Sequence, residues 1–315
     1  MIRRRQVAHE RYALLLAGLG LACLSGPGVA GQTFRIGVDA VAVDVLVTRG
    51  GRPVVGLDAD DFAVLDNGVP QQIDAVLLED VPITLLLVLD TSGSVRGAPL
   101  VQLRTAAETV ARALRPDDRV GLLTFSHNIR LVVEPPSVPA RLMDALRRVR
   151  ASGGTALYDA TFAAFALRER MVGRTLMLVF SDGDDTTSWL DPRDVLKTAQ
   201  RSDVVVYGVS LDRAARDGRW ERPGRRSARR WFPREPHLFR GQFLTVLAGE
   251  TGGSVFVAQD VDGLQAAFAR VLSEFRSRYL LTYSPSGVES SGWHELDVRV
   301  RGRGRDVQAR RGYLR

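Results

Sequence analysis

The stretch Ile83-Thr84-Leu85-Leu86-Leu87-Val88-Leu89-Asp90-Thr91-Ser92-Gly93-Ser94 decides the fold. Its first seven residues are apolar but for Thr84, the pattern of a strand buried on both faces. The run stops at Asp90, in a loop of small polar residues. Downstream, Leu100, Leu103, Ala106, Ala107, Val110, Ala111 and Leu114 recur at helical spacing until Pro116. Val120–Phe125 and Ile129–Val133 read as strands around Ser126-His127-Asn128. Pro139–Arg150 and Thr155–Met171 read as helices parted by Ser152-Gly153-Gly154. Thr175–Phe180 is a second buried strand, ending at Ser181-Asp182-Gly183. A helix at Asp194–Arg201, a strand at Val204–Val209, a short strand at Ser254–Val257 and an amphipathic helix through Leu264, Phe268 and Phe275 complete the series. Strands alternating with helices predict an α/β domain over 81–278, a βα-type sheet with helices on its faces.

The flanks read differently. Val41, Val43, Val45 and Val47 alternate with other residues before a Gly50-Gly51 turn, and Phe62–Leu65 meets Asn67-Gly68, a tight-hairpin signal. At the other end Leu280–Tyr283 is strand-like. Leu296, Val298 and Val300 then alternate with charged residues ahead of Gly302-Arg303-Gly304. Neither flank has strands enough to bury a core alone. Residues 31–80 and 279–315 are therefore expected to pair as one small antiparallel β-sandwich.

The chain has 315 residues, 45% hydrophobic and 25% charged, which excludes a wholly disordered or fibrous protein. Arg3, Arg4, Arg5 and Arg11, an apolar segment from Tyr12 to Leu24, and the small residues Gly28-Val29-Ala30 make residues 1–30 read as an export signal. The apolar segment is short of the ~20 residues a bilayer span needs. No later stretch qualifies, so no transmembrane span is expected in the mature chain, which is placed in the periplasm or outside the cell. The single cysteine, Cys23, lies in that signal. Disulfides and thiol chemistry are thereby excluded from the mature chain, with lipid attachment at Cys23 the alternative to simple release.

The net charge of +7 divides unevenly. Residues 1–30 carry +3, residues 213–240 carry +7 from ten arginines against three acids, and residues 299–315 carry +6; the remainder carries −9. An acidic body thus bears basic appendages. The stretch 212–240, rich in Arg with interleaved aromatics, leaves the end of a strand whose edge also bears Asp90 and Asp182. Arg225, Arg226, Arg229 and Arg230 are its candidate contacts for an acidic partner. Lys197 is the sole lysine, so the arginine count reflects residue usage along the whole chain, and no nucleic-acid partner is expected for an exported protein.

Asp90-Thr91-Ser92-Gly93-Ser94 carries the chemistry. An acid and two hydroxyls on alternate residues of a tight loop turn toward one point, at the strand edge where open α/β sheets bind ligands. Thr155, after a Gly-Gly pair, and Asp182, at another strand end, add oxygen donors at the same edge. Oxygen-only ligands suit a hard divalent cation, Mg²⁺ first, with Mn²⁺ or Ca²⁺ as alternatives. Asp184 and Asp185 read as a solvated acidic loop, and Asp159, one helical turn after Thr155, as a residue supporting the ligands from behind or one of the helix face.

Asp90-x-Ser92-x-Ser94, then Thr155, then Asp182 resembles the metal-ion-dependent adhesion site of von Willebrand factor type A domains. The flanks resemble the secreted bacterial members of this group in Gly56-Leu57 followed by Asp61-Phe62, and in Arg310-Arg311-Gly312-Tyr313. The resemblance implies a Rossmann-like, doubly wound, mostly parallel sheet with one antiparallel edge strand. It further implies that Ser92, Ser94 and Thr155 contact the ion directly, that Asp90 and Asp182 act directly or through water, and that a protein partner supplies an Asp or Glu carboxylate.

A serine nucleophile would need a base held by a third group. Beyond the export signal the histidines are His127, His237 and His294, of which only His127 lies near the strand edge, as a turn residue. No Gly-x-Ser-x-Gly elbow accompanies the serines. The expectation is an exported, non-catalytic adhesion or protein-binding protein. The alternative is a structural or assembly scaffold that uses the same fold without obligatory metal.

Overall fold

The computed structural model describes residues 40–78, 81–181, 185–211, 242–258 and 260–315. In chain order its main elements are β1 (Val41–Arg49), β2 (Arg52–Pro53), β3 (Phe62–Asp66), β4 (Val69–Gln71), β5 (Ile73–Leu77), β6 (Ile83–Asp90), α1 (Ala98–Ala113), β7 (Arg119–Phe125), β8 (Ile129–Ser137), α2 (Pro139–Leu146) and α3 (Leu157–Ala166). They continue with β9 (Arg174–Phe180), α4 (Pro192–Gln200), β10 (Val205–Leu211), α5 (Phe243–Thr251), β11 (Val255–Ala258), α6 (Val261–Arg276), β12 (Tyr279–Tyr283), β13 (Trp293–Val300), β14 (Arg305–Gln308) and β15 (Gly312–Leu314).

Six strands form the central sheet in the order β11-β10-β9-β6-β7-β8. Every pairing is parallel except β7 with β8 at one edge. All eight residues of β6 are buried, as the unbroken apolar run requires. Its side chains alternate between the two faces. Leu85, Leu87 and Leu89 join a core with α1, α2 and α6, while Leu86 and Val88 join one with α3, α4 and α5. From β6 the chain crosses to β7 on one side and then returns to β9 on the other. The order therefore reverses between β6 and β9, and the crevice outside their C-terminal ends is where a doubly wound sheet binds ligands.

The remaining strands form two antiparallel sheets that mix both ends of the described chain. One runs β14-β1-β12-β5, with β2 on β1; the other runs β15-β13-β3-β4. Val43, Val45, Val47, Phe62, Val64, Tyr279, Leu281, Tyr283, Leu296 and Tyr313 share one buried cluster. The β3–β4 hairpin turns on Asn67 and Gly68, both at positive φ (47° and 81°), the conformation that an Asn-Gly pair adopts at least cost.

Two arginines tie these sheets to the α/β layer. Arg278 is fully buried and donates to the Tyr207 hydroxyl (3.1 Å) and to the backbone carbonyls of Asp44 (3.0 Å) and Gln308 (3.2 Å). Arg174, at the start of β9, donates from Nε to Asp44 Oδ1 at 2.9 Å. Removing one member of a buried pair of this kind leaves the other charge uncompensated.

Some elements differ from expectation. The helix expected over Thr155–Met171 begins only at Leu157 and closes at Ala166, with a single 3₁₀ turn at Arg168–Arg170. Strands β5 and β15 and the nine-residue helix α5 carry no signal strong enough to read from sequence. Among the described residues, no helix is long and apolar enough to cross a membrane.

Candidate metal-dependent binding site

Three strand ends build the site. β6 delivers Asp90, fully buried, and the loop after it delivers Ser92 (1% exposed) and the exposed Ser94. Asp90 is held from two sides: its Oδ1 accepts the Ser92 N–H at 2.8 Å, and its Oδ2 accepts the Ser181 hydroxyl at 2.8 Å. That second contact reaches from the end of β9 and fixes the carboxylate's plane across the crevice. The Ser92 and Ser94 hydroxyl oxygens lie 2.9 Å apart, so the alternate residues of the loop do converge.

The loop's backbone is laced to its neighbours. Thr91 donates its N–H (2.6 Å) and its hydroxyl (2.8 Å) to the Phe125 carbonyl at the end of β7. Gly93 N–H donates to Gly153 O and Ser152 N–H to Thr91 O, both at 2.8 Å, and Ala156 N–H donates to Ser126 O at 2.9 Å. Gly153 is required there. Its φ is +83°, and a Cβ on it would stand 1.8 Å from Nδ1 of His127. The exposed His127 thus packs its ring against this glycine and joins Asn128 at 2.9 Å. Among the described residues no histidine hydrogen-bonds to Ser92 or Ser94.

Thr155 is buried, and a second loop pulls it out of the helix that follows. Its N–H donates to the Thr186 hydroxyl (2.9 Å), and its carbonyl accepts the N–H groups of Thr186 (2.8 Å) and Thr187 (3.1 Å). Helix α3 starts at Leu157, and the Ala156 before it offers no side-chain cap. The Ser188 hydroxyl accepts the Tyr158 and Asp159 N–H groups instead, both at 3.1 Å, and Asp185 accepts from Tyr158 N–H at 3.2 Å. Asp185, expected in a solvated acidic loop, is therefore a helix cap supplied from elsewhere in the chain. Asp159 answers from the helix side: its carboxylate accepts the Trp189 N–H (3.0 Å) and the Leu190 N–H (2.9 Å).

Asp182, Asp184, and Arg225, Arg226, Arg229 and Arg230 lie outside the described residues. Ser181 and the loop 185–190 hold the candidate site residues in place and are not marked in the sequence. A serine at a strand end reads as ordinary turn chemistry, and only the fold shows it reaching Asp90.

The donors at this edge are hydroxyl and carboxylate oxygens, a set that fits a hard divalent cation. Among the described residues no three His, Cys, Asp or Glu side chains come together as a ligand cluster, so hydroxyls supply much of the donor set brought together here.

An open, doubly wound sheet with an oxygen-lined crevice at its switch point defines a class of ligand-binding α/β domains. Residues 85–184 match the family model described as von Willebrand factor type A domain, and the chain carries a domain of that family. An uncharacterized protein of Synechocystis sp. is 40% identical over 78 residues, covering 24% of this chain and 19% of that protein. Inter-alpha-trypsin inhibitor heavy chain H2 of Mus musculus is 30% identical over 147 residues, covering 42% of this chain and 15% of that protein. The chain thus spans less than a fifth of these curated relatives. Among solved structures, a von Willebrand factor type A protein from Catenulispora acidiphila aligns with a TM-score of 0.47 at 11% identity, over 88% of this chain and 73% of that one.

Proposed function

We propose that this chain is an exported, non-catalytic binding protein that recognises an acidic group on a protein partner through a divalent cation. Asp90, Ser92, Ser94, Thr155 and Asp182 would hold the ion, with Mg²⁺ the best match to their oxygens and Mn²⁺ or Ca²⁺ as alternatives. The observation that carries this reading is the convergence of the Ser92 and Ser94 hydroxyls, 2.9 Å apart, beside an Asp90 carboxylate already fixed by Ser92 and Ser181. Such an ion presents a positive point charge to an incoming Asp or Glu carboxylate. This chain's residues orient it: Asp90 and Asp182 balance its charge, and the laced loops keep the hydroxyls aimed. The two antiparallel sheets, read as one sandwich, serve as the base on which this face is displayed. The arginines of 212–240, which include Arg225, Arg226, Arg229 and Arg230, add attraction for an acidic partner.

Calorimetry on the full chain, with Mg²⁺ or Mn²⁺ and an acidic peptide present, tests the reading. Wild type binds, while Asp90→Ala and Thr155→Ala both lose metal-dependent binding. No metal binding by wild type would instead favour the scaffold reading. Deleting 214–238 is expected to weaken partner capture while leaving metal affinity nearly unchanged.

A further inference from the structure

We propose that Trp189, with Phe162, is the apolar half of the partner-binding face, and that the occupant is a protein segment bearing a large apolar residue within three positions of its acidic residue. This rests on the carboxylate-recognition reading above and adds a specificity determinant to it. Trp189 is 95% exposed, far beyond Val101 at 59%, the next most exposed large hydrophobic side chain among the described residues. A tryptophan given wholly to water is the unusual observation, since its ring gains most from burial.

The backbone beneath that ring is fixed. Trp189 N–H donates to both Asp159 oxygens at 3.1 and 3.0 Å, and Leu190 N–H donates to Asp159 Oδ1 at 2.9 Å. On the other side Ser188 is tied to the start of α3 through its hydroxyl. On the α4 side, Asp191 accepts the Arg193 N–H at 2.8 Å as the helix cap. The loop is already ordered, so a partner meeting Trp189 spends little conformational entropy there, the property that makes Trp an effective anchor at interfaces. Phe162, 39% exposed, lies three residues after Asp159 and hence on the same side of α3.

Continuity with the candidate site sets the spacing. Thr187 N–H stands 3.1 Å from the Thr155 carbonyl. Two residues of chain span at most ~7 Å, so the Trp189 backbone lies within roughly 10 Å of that carbonyl. An extended peptide with its carboxylate at the metal edge covers such a gap in one to three residues.

The test uses the full chain and two capped peptides, Gly-Gly-Asp-Gly-Phe-Gly and Gly-Gly-Asp-Gly-Gly-Gly, with Mg²⁺ or with EDTA. In Mg²⁺ the phenylalanine peptide is expected to bind wild type roughly threefold to tenfold more tightly than the glycine peptide. Trp189→Ala should abolish that preference and leave the glycine peptide unaffected. Equal binding of the two peptides to wild type, or a preference that survives Trp189→Ala, overturns the inference while leaving the metal reading intact. A preference that persists in EDTA and disappears in Trp189→Ala supports the aromatic surface and overturns the metal reading. Failure of both peptides to bind wild type at millimolar concentration overturns both.

Discussion

Replacing Asp66 by Ala is expected to be among the most destabilising single changes in the chain, although the residue lies far in sequence from the candidate site. Asp66 is fully buried at the end of β3. Its Oδ2 accepts the hydroxyls of Tyr283 and Tyr313, both at 2.8 Å, and its Oδ1 pairs with His294 Nδ1 at 2.8 Å. These partners come from β12, β15 and β13, so one side chain joins strands of both antiparallel sheets. His294 is itself fully buried and stacked on Tyr313, and among the described residues its Nε2 has no hydrogen-bond partner. A lone pair left without a partner costs less than an N–H, so the ring proton belongs on Nδ1, facing Asp66.

The alanine variant strands three buried donors. Tyr313 has a second acceptor in reach only if His294 changes tautomer, since its hydroxyl lies 3.2 Å from His294 Nδ1. At ~1–3 kcal/mol for each unsatisfied group, and with that partial rescue, the loss is about 3–6 kcal/mol. Asp66→Asn keeps the volume and one acceptor oxygen, and should lose about half as much. Tyr283→Phe removes a donor without leaving a buried group unpaired, and should cost about 1 kcal/mol. Urea unfolding followed by far-ultraviolet circular dichroism measures the series. If Asp66→Ala unfolds within 1 kcal/mol of wild type with an unchanged denaturant slope, the reasoning fails, because such a node must already have been satisfied by other means.

The same cluster gives a pH dependence. Burial and the hydrogen bond to Asp66 push the Tyr313 hydroxyl up to about 12, and burial raises Tyr283 as well. Phenols in the unfolded chain ionise first, near 10, so stability is intact below pH 10 and falls as pH rises toward 12. Melting temperatures across that window should show the decline, and Tyr313→Phe should make it shallower while Tyr283 keeps part of it. Ser181→Ala removes the hydroxyl that holds Asp90 Oδ2 and should weaken Mg²⁺ binding roughly tenfold, read by calorimetry, with little change in fold. Gly153→Ala forces a side chain into positive φ and against the His127 ring. A loss of about 1–2 kcal/mol in urea unfolding is expected, and a melting curve unmoved by this change would show that the loop is not held as described.

The central sheet was legible because its determinants are local. The unbroken run of β6 announces burial on two faces, and the helical spacing through α1 announces a crossover. The donors Asp90, Ser92 and Ser94 were legible for the same reason: they sit on one loop, at an edge the strand pattern predicts. What escaped notice depends on long-range closure. Asp66 and His294 are separated by 228 positions, and neither residue type marks its partner in sequence. The capping of α3 by Asp185 and Ser188 crosses about 30 residues, which is why Thr155 was expected inside the helix rather than ahead of it. The helix α5 is only nine residues long, and its pattern offers too few turns to stand out beside the arginine-rich stretch before it.

The lacing of the loops bears on how selective such a site becomes. The loop that bears Ser92 and Ser94 is bonded through Gly93 to Gly153 and through Thr91 to Ser152, and Thr155 is bonded to Thr186 and Thr187. Donors held this way need little rearrangement when a ligand arrives, so the cost of ordering them is met in folding rather than in binding. Under the proposed cation-dependent reading, selectivity would come from what surrounds the ion rather than from the ion, because a bare cation distinguishes one carboxylate from another weakly. Asp159 is well placed to link the two. It lies in the first turn of the helix that begins just beyond Thr155, and it fixes the backbone of Trp189. A change at Asp159 should accordingly alter which acidic segments bind before it alters whether metal binds, and comparing peptide preference with metal affinity in Asp159→Ala separates the two effects.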